Sequence, residues 1–407
     1  MKSVEDWGTV MISGKILSSI DIGTSRLRAA MAHVDRTGKV QILGIGSVPA
    51  PWMGIGTSST GLWYCSIFNY NECRESFRDA IRQVEEVSGI RMKRACVSIS
   101  SCGEPISGYD PSLSPFPRDG RKVHRNDLRL IFHCMLKESG LNPDIFKQVH
   151  GFNLDYQMHL AIAAMFYVQN VVRCMVDLGV RPEQYVRRPL ATCVAALKPE
   201  EKESGSVLVD IGDRATDIVT FKSGRLQEVV TLAVGGFDIT KNIAVSMNLP
   251  YAIAEGLKKR HGMAAIASQK RTSRISPEPI PGDGNGVDLP RLNEIITAET
   301  VRILKHVKAR MEFERKPNFV VLTGGTANLP GIASLAEQVL CLPVRIGLPD
   351  SSIGLQRTFL APEYTTIVGL ILWYSDYLRE SATPSFRENI ARRFGVALRD
   401  FINDENS

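Results

Sequence analysis

The chain offers little that would mark a metal centre, a membrane span or a nucleic-acid binder. Its eight cysteines, at 65, 73, 96, 102, 134, 174, 193 and 341, form no CxxC pair, and no histidine sits beside them at metal-ligand spacing. Free thiols in a reducing compartment are therefore expected. Seven scattered histidines without a Ser/His/Asp context leave zinc and hydrolase chemistry without candidates. The longest apolar runs, such as Ile367–Tyr374, fall far short of the ~20 residues that a spanning helix needs. Met1–Gly14 reads as a loose leader with one lysine, two acids and no long apolar stretch, unlike a signal peptide. A net charge of only +6, with no basic run interleaved with aromatics, argues against a nucleic-acid partner. At 407 residues, 44% hydrophobic and 23% charged, the chain has the composition of a soluble protein of two or more domains.

What is present is a repeated turn. In Val207–Val219 an apolar run ends in Asp210 and Gly212, turns, and resumes. That pattern predicts a β-hairpin whose turn gathers one carboxylate and several backbone amides. Asp21 stands 189 residues before Asp210, and Gly23 stands 189 before Gly212, in Ile20–Ala30. Two similar hairpins near the starts of two halves suggest a duplicated α/β domain with a cleft between the copies.

Each hairpin opens a meander: Lys15–Ile20, Leu27–His33 and Val40–Val48 in the first half, Val207–Val234 in the second. Pro49–Tyr64, rich in Gly, Ser and Trp, reads as a loop. Helices are expected over Asn71–Ser88, Arg125–Ser139, Tyr167–Leu178, Leu190–Leu197, Asp238–Met247, Ala252–Arg260, Leu292–Phe313, Ile332–Val339 and Tyr364–Leu378. Strands are expected at Ala95–Ser100, Gln148–Gln157 and Phe319–Leu322. Ser101–Gly120 and Ser268–Pro290, rich in Pro, Gly and Ser, read as a boundary and a loop, and Glu200–Gly205 as a polar linker.

A strand followed by Gly23, Thr24 and Ser25 can aim backbone N–H groups and two hydroxyls at a phosphate. Asp21 and, from the opposite side, Asp210 could hold Mg²⁺ through water, since that ion sheds water reluctantly. Each hairpin taken alone is equally what an ordinary turn looks like. Gly324-Gly325 after a strand adds a third close-approach turn, suited to a ribose or adenine face. The order DxGTS, DxGDxxT, TGGxxxxPG, with Gly235-Gly236 between the last two, is specific as a set.

In that order and spacing the chain resembles the actin/Hsp70/sugar-kinase ATPase superfamily, and within it the bacterial cell-division FtsA family. The carrying residues are Ser19–Ser25, Val209–Gly212, Gly235-Gly236 with Asp238–Thr240, Ala254–Gly262, Val321–Gly325 and Val344–Gly347. The resemblance implies duplicated actin-like (ribonuclease-H-like) domains around a nucleotide cleft, with ATP and Mg²⁺ as cofactors. It implies a first phosphate loop of Asp21, Gly23, Thr24, Ser25 and Arg26, and a second of Asp210, Gly212, Asp213 and Arg214. Gly235 and Gly236 would join the site, Glu255 and Lys258 would contact ribose or adenine, and Gly324, Gly325 and Thr326 the adenosine. Subdomain 1A would take 14–94 and 160–199, 1C 95–159, 2A 200–245 and 318–380, and 2B 246–317. A leader would take 1–13, and a linker with a C-terminal helix 381–407. Two features depart from the family. Asp213-Arg214 replaces glycines in the second loop, and the 1C-like region is short.

Ser385–Phe401 places Phe386, Ile390, Phe394, Leu398 and Phe401 on one helical face, with Arg387, Arg392, Arg393 and Arg399 mostly off it. A basic amphipathic helix suits an anionic membrane surface. Five large apolar side chains give roughly 7–15 kcal/mol if fully buried. Ordering the helix costs a comparable amount at ~1 kcal/mol or more per residue. One tail would anchor marginally, and many tails in a filament firmly. The resemblance then implies a peripheral protein on the cytoplasmic side of the membrane at the division site. It would self-associate and tether FtsZ filaments, receiving the FtsZ C-terminal peptide at subdomain 2B, beside other division proteins. The charged face of the Leu292–Phe313 helix (Glu299, Arg302, Lys305, His306, Arg310) would serve there, and any ATPase would be weak. A PilM-like pilus-assembly module, or a sugar kinase or polyphosphatase of the same fold, are the alternatives.

Overall fold

The computed structural model describes residues 14–57, 63–67, 69–99, 170–264, 288–311, 317–350 and 353–381. Ile20, Ile22, Leu27, Ala29 and Met31 pack into one core cluster and Leu17, Ala30 and Ala32 into another, so these apolar strand segments are buried from both sides. They build two five-stranded sheets on one plan. In the first, β1 (Gly14–Ile22), β2 (Arg26–Asp35) and β3 (Val40–Pro49) form an antiparallel meander. Beyond β1 lie β6 (Arg94–Ile99) and β7 (Arg181–Arg187) in parallel, in the order β3-β2-β1-β6-β7. In the second, β8 (Ser206–Ile211), β9 (Thr216–Lys222) and β10 (Arg225–Leu232) form the meander. The parallel strands β11 (Phe319–Thr323) and β12 (Val344–Ile346) extend it, in the order β10-β9-β8-β11-β12. The duplication anticipated from the two hairpins therefore extends over whole sheets.

Helix α1 (Tyr70–Ser88) covers one face of the first sheet with Phe77, Ala80, Ile81 and Val84. The Asn69 side chain caps its start, and Gly89 ends it in the left-handed region. Helix α2 (Arg188–Ala196) leads into α3 (Pro199–Ser204). The second sheet carries α4 (Gly236–Ser246), α5 (Tyr251–His261), α6 (Leu289–Met311) and α7 (Ile332–Leu340) around Ile239, Ile296, Leu304 and Leu335. Helix α8 (Thr365–Ser381) covers the other face of the first sheet with Ile367, Leu370 and Ile371.

Helix α2 joins the halves. Its Cys193, Ala196 and Leu197 pack on Leu208, Val219 and Val321 of the second sheet. Against α8 it approaches so closely that a Cβ on Gly369 would stand 1.9 Å from the Ala191 carbonyl oxygen. The N-terminus of α2, and with it Arg188, thus arrives between the two hairpin turns.

Several expectations change. The Pro49–Tyr64 stretch is not all loop, since β4 (Met53–Thr57) pairs antiparallel with β5 (Trp63–Ile67). Within it Trp52 is buried, its Nε1 donating to Ser76 Oγ at 2.9 Å. Strand β7 was not anticipated because its sequence, RPEQYVR, is edge-like and polar. The Glu200–Gly205 linker is largely helix α3, where Glu201 accepts from the Lys198 amide. Strand β6 lies in the first sheet, so that sheet reaches Ile99, past the boundary drawn at 94. Residues 170–177 are helical, inside the expected Tyr167–Leu178. The leader, the elements expected between 125 and 157, most of the Ser268–Pro290 loop and the whole C-terminal amphipathic segment lie outside the described residues.

Candidate functional site

The two hairpin turns are built alike. Gly23 N–H donates to the Arg26 carbonyl at 3.0 Å, and Gly212 N–H donates to the Ala215 carbonyl at 2.9 Å. In each turn a Cβ on the glycine would stand 2.9 Å from that same oxygen, so the turns require glycine for space. Two further turns lock onto the second hairpin. Gly236 N–H donates to the Gly212 carbonyl (2.9 Å) and Phe237 N–H to the Asp213 carbonyl (2.7 Å). Thr326 Oγ1 also donates to the Gly212 carbonyl, at 3.0 Å. Asp238 accepts from Gly235 N–H and so fixes the entry to α4. The first amides of α4 are thereby spent on the hairpin, not aimed at solvent.

The turns enclose a cleft of about 430 Å³, within the range of small-ligand pockets. It is lined by Gly23, Thr24, Ser25 and Arg26 of the first hairpin and by Gly212 and Asp213 of the second. Gly236, Glu255, Lys258, Gly324, Gly325 and Thr326 line it from the second half. The sequence therefore identified much of the lining. Asp21, Asp210, Arg214 and Gly235 do not line it. The Arg214 backbone N–H instead donates to Thr24 Oγ1 at 3.2 Å across the cleft, while its guanidinium lies 4.0 Å from the Phe237 ring centroid. Burial raises the pKa of the neighbouring Asp213 carboxyl, against the pull of Lys258 and Arg214. Arg26 is tied back to strand β3 through Ser47.

On the second-half side of the cleft, Lys258 is buried and donates to the Gly236 carbonyl (2.9 Å) and Thr240 Oγ1 (2.7 Å). It also pairs with Glu255 at 2.7 Å, while Lys259 pairs with the other Glu255 oxygen at 2.9 Å. Burial raises the Glu255 carboxyl, but the Lys258 ammonium, its hydrogen bond and the Thr240 hydroxyl outweigh it and hold the pKa near about 2.

Behind the two hairpin turns lies a charge cluster that sequence reasoning missed. Asp21 is fully buried at the end of β1. Its Oδ1 accepts from Ser98 Oγ (2.9 Å), whose oxygen in turn accepts from Ile22 N–H. Arg188 Nε donates to Asp21 Oδ1 at 3.2 Å, and Arg188 Nη1 stands 3.7 Å from Asp210 Oδ2 and 3.8 Å from Asp217 Oδ2. Arg28 Nη1 stands 4.0 Å from Asp21 Oδ2 and lies over the Tyr364 ring. Burial opposes the Arg188 charge, but Asp21, Asp210 and Asp217 outweigh it and raise its pKa. Burial and the nearby Asp210 push Asp217 up to about 6, against Arg188 and the Thr231 hydroxyl. Arg28 and Asp217 occupy the same place in the repeat, opposite Asp21 and Asp210 in the sheet register. That pairing was available from the 189-residue offset. The position of Arg188, one residue before a Pro at a helix start, carried no comparable signal.

The expectation that Asp21 and Asp210 hold Mg²⁺ through water meets this cluster directly. A hydrated Mg²⁺ carries its ligand oxygens at about 2.0–2.1 Å in an octahedron and needs free carboxylate oxygens to accept from its waters. Here the facing carboxylate oxygens are taken by a guanidinium, and Asp210 Oδ2 also accepts from Thr192 Oγ1. Among the described residues no group of three or more Asp, Glu, His or Cys side chains is arranged to hold a metal ion. As arranged, the donor set does not fit a metal shared by the two aspartates.

A family model, "Cell division protein FtsA", matches residues 207–369. The cell division protein FtsA of Pseudomonas aeruginosa is 28% identical over 388 residues, covering 89% of each chain. That of Borreliella burgdorferi is 26% identical over 412 residues, covering 94% of this chain and 96% of its own. Among solved structures, the PilM–PilN type IV pilus biogenesis complex aligns with a TM-score of 0.54 at 17% identity, covering 88% of this chain and 98% of that one. MreB 5 of Spiroplasma citri bound to AMPPNP aligns with a TM-score of 0.51 at 12% identity, covering 90% and 97%. At those identities the structural matches establish the fold alone, that of two duplicated actin-like domains.

Proposed function

We propose that the chain is an FtsA-like protein of actin-like fold, and that it acts as a nucleotide-binding, self-associating adaptor of cell division. In this reading ATP lies in the cleft between the duplicated hairpins. Thr24 and Ser25 face its phosphates from one side, Gly212 and Asp213 from the other, and Gly325 leaves open space for the adenosine. The observation that carries the reading is the interlock of four glycine turns around one cleft, two of them related by duplication. The Arg214–Thr24 bond spans the cleft, so a ligand seated there is placed to alter how the halves close. That gives binding a route to self-association. In this reading any turnover is slow, and no step here runs through a bound metal.

The partners follow from the family resemblance. The segment Ser385–Phe401, with Phe386, Ile390, Phe394, Leu398 and Phe401 on one face and Arg392 and Arg393 beside them, would attach the protein peripherally to an anionic membrane at the division site. Among the described residues no helix is long and apolar enough to cross a membrane. On α6, Lys305 and His306 are exposed, whereas Arg302 is paired with Glu299 and Asp238. An acidic FtsZ C-terminal peptide docking there would meet the first two.

The test is co-sedimentation of the full chain with anionic vesicles, with and without ATP, beside Phe394→Glu. The reading expects ATP to increase the bound fraction and the variant to lose it. Equal sedimentation in all conditions would sink the coupled anchor.

A further inference from the structure

We infer that Arg188 is a built-in counter-cation standing where a divalent metal would bridge Asp21 and Asp210, so that this chain takes nucleotide phosphates without a metal held by its own carboxylates. The inference rests on the nucleotide reading above and concerns how that cleft manages charge. The guanidinium reaches both halves at once: 3.2 Å to Asp21 on one hairpin, 3.7 Å to Asp210 and 3.8 Å to Asp217 on the other. It also lines the cleft, which the two aspartates do not. Of this cluster, Arg188, Arg28 and Asp217 are the side chains that a ligand in the cleft meets.

The remaining carboxylate oxygens give a metal no second route. Asp21 Oδ2 and Asp210 Oδ1 are shut off from solvent without a hydrogen-bond partner. The first faces Arg28 at 4.0 Å. The second faces Gly324 so closely that a Cβ there would stand 2.2 Å away. Seating a metal between the aspartates would require the guanidinium to leave three carboxylates while staying largely buried, with its side chain 15% exposed.

Arginine is also the side chain suited to both tasks. Its planar fork carries five donors that cannot be deprotonated, and it matches carboxylate and phosphate geometry alike. Nε and Nη1 face the aspartates, which leaves the Nη2 end of the fork for an incoming phosphate oxygen. The guanidiniums of Arg28 and Arg188 offset two of the three carboxylate charges, which leaves one net negative charge on the pocket floor. A polyphosphate then meets far less repulsion than three uncompensated aspartates would give.

The experiment titrates the full chain with ATP in EDTA and in Mg²⁺ buffer, and separately with Mn²⁺ alone, read by the paramagnetic signal of free Mn²⁺. The wild-type chain should bind ATP within about twofold in the two buffers, and should not bind Mn²⁺ by itself. Arg188→Gln, which frees the aspartates, should bind Mn²⁺, and its ATP binding should tighten about tenfold or more with Mg²⁺. Adding Asp210→Asn to it should remove the Mn²⁺ site. Arg188→Lys keeps a cation and should stay metal-independent. A wild-type chain that loses tenfold in ATP affinity in EDTA, or binds Mn²⁺ alone, overturns the inference. So does a folded Arg188→Gln that gains no Mn²⁺ site. If Arg188→Gln does not fold, the wild-type and Arg188→Lys titrations decide. Failure of the wild-type chain to bind ATP in either buffer would overturn the nucleotide reading, and the Mn²⁺ titrations would still decide the role of Arg188.

Discussion

At Gly324 two constraints act on one missing atom. The backbone lies at φ +90°, where side chains are strained, and a Cβ would stand 2.2 Å from Asp210 Oδ1 and 2.6 Å from the Ile211 carbonyl oxygen. Gly324→Ala should therefore cost roughly 1–3 kcal/mol of stability, read as a lower urea midpoint with unchanged slope. Glu255 answers to pH. Its folded pKa, held down to about 2 from the ordinary 4.5, makes its contribution fully present above 4.5, and lost as pH falls from 4.5 through 2. Glu255→Gln should flatten the acid limb of the stability curve in that window and lower stability at neutral pH, because Lys258 stays buried with one partner fewer. Thermal melts at pH 2 to 7 would show both, and a variant with the wild-type acid limb would remove Glu255 from the account.

Among the elements, α2 is the one on which both halves depend. Gly369 of α8 lies against the Ala191 carbonyl at a distance that admits no side chain. Gly369→Val should separate the helices, costing about 1–3 kcal/mol or more by overpacking. It should also displace Arg188 from its aspartates, and a variant as stable as the wild-type chain would contradict this role for α2. The two meanders were legible in the sequence because an apolar run, an acid-glycine turn and a second apolar run leave few other folds. The long helices α1 and α6 were legible from their apolar spacing, to within about three residues at the ends. What escaped lacked a recognisable local pattern. Strand β7 is polar yet parallel to β6, and β4 with β5 lies in a stretch whose Gly and Ser content resembles a loop. In the site, the turns were readable from their glycines. The charge cluster was not, because Arg188 meets Asp21 across 167 residues.

Over the whole molecule, duplication explains both the fold and the asymmetry of its cleft. One plan of three antiparallel and two parallel strands is used twice, and the two acid-glycine turns face one another across α2. The halves then diverge at paired positions: Arg28 against Asp217, and Thr24-Ser25 against Asp213-Arg214. The second loop, in which Asp213-Arg214 replaces glycines, keeps its turn through Gly212 and reaches the first loop through the Arg214 backbone N–H on Thr24. The most direct measurement is calorimetric titration of ATP into the full chain beside Gly324→Ala. One ATP per wild-type chain, with affinity at least about tenfold weaker in the folded variant, is the predicted result. A wild-type chain that takes up no ATP, or a folded variant that binds it equally well, would contradict a nucleotide cleft built on these interlocked turns.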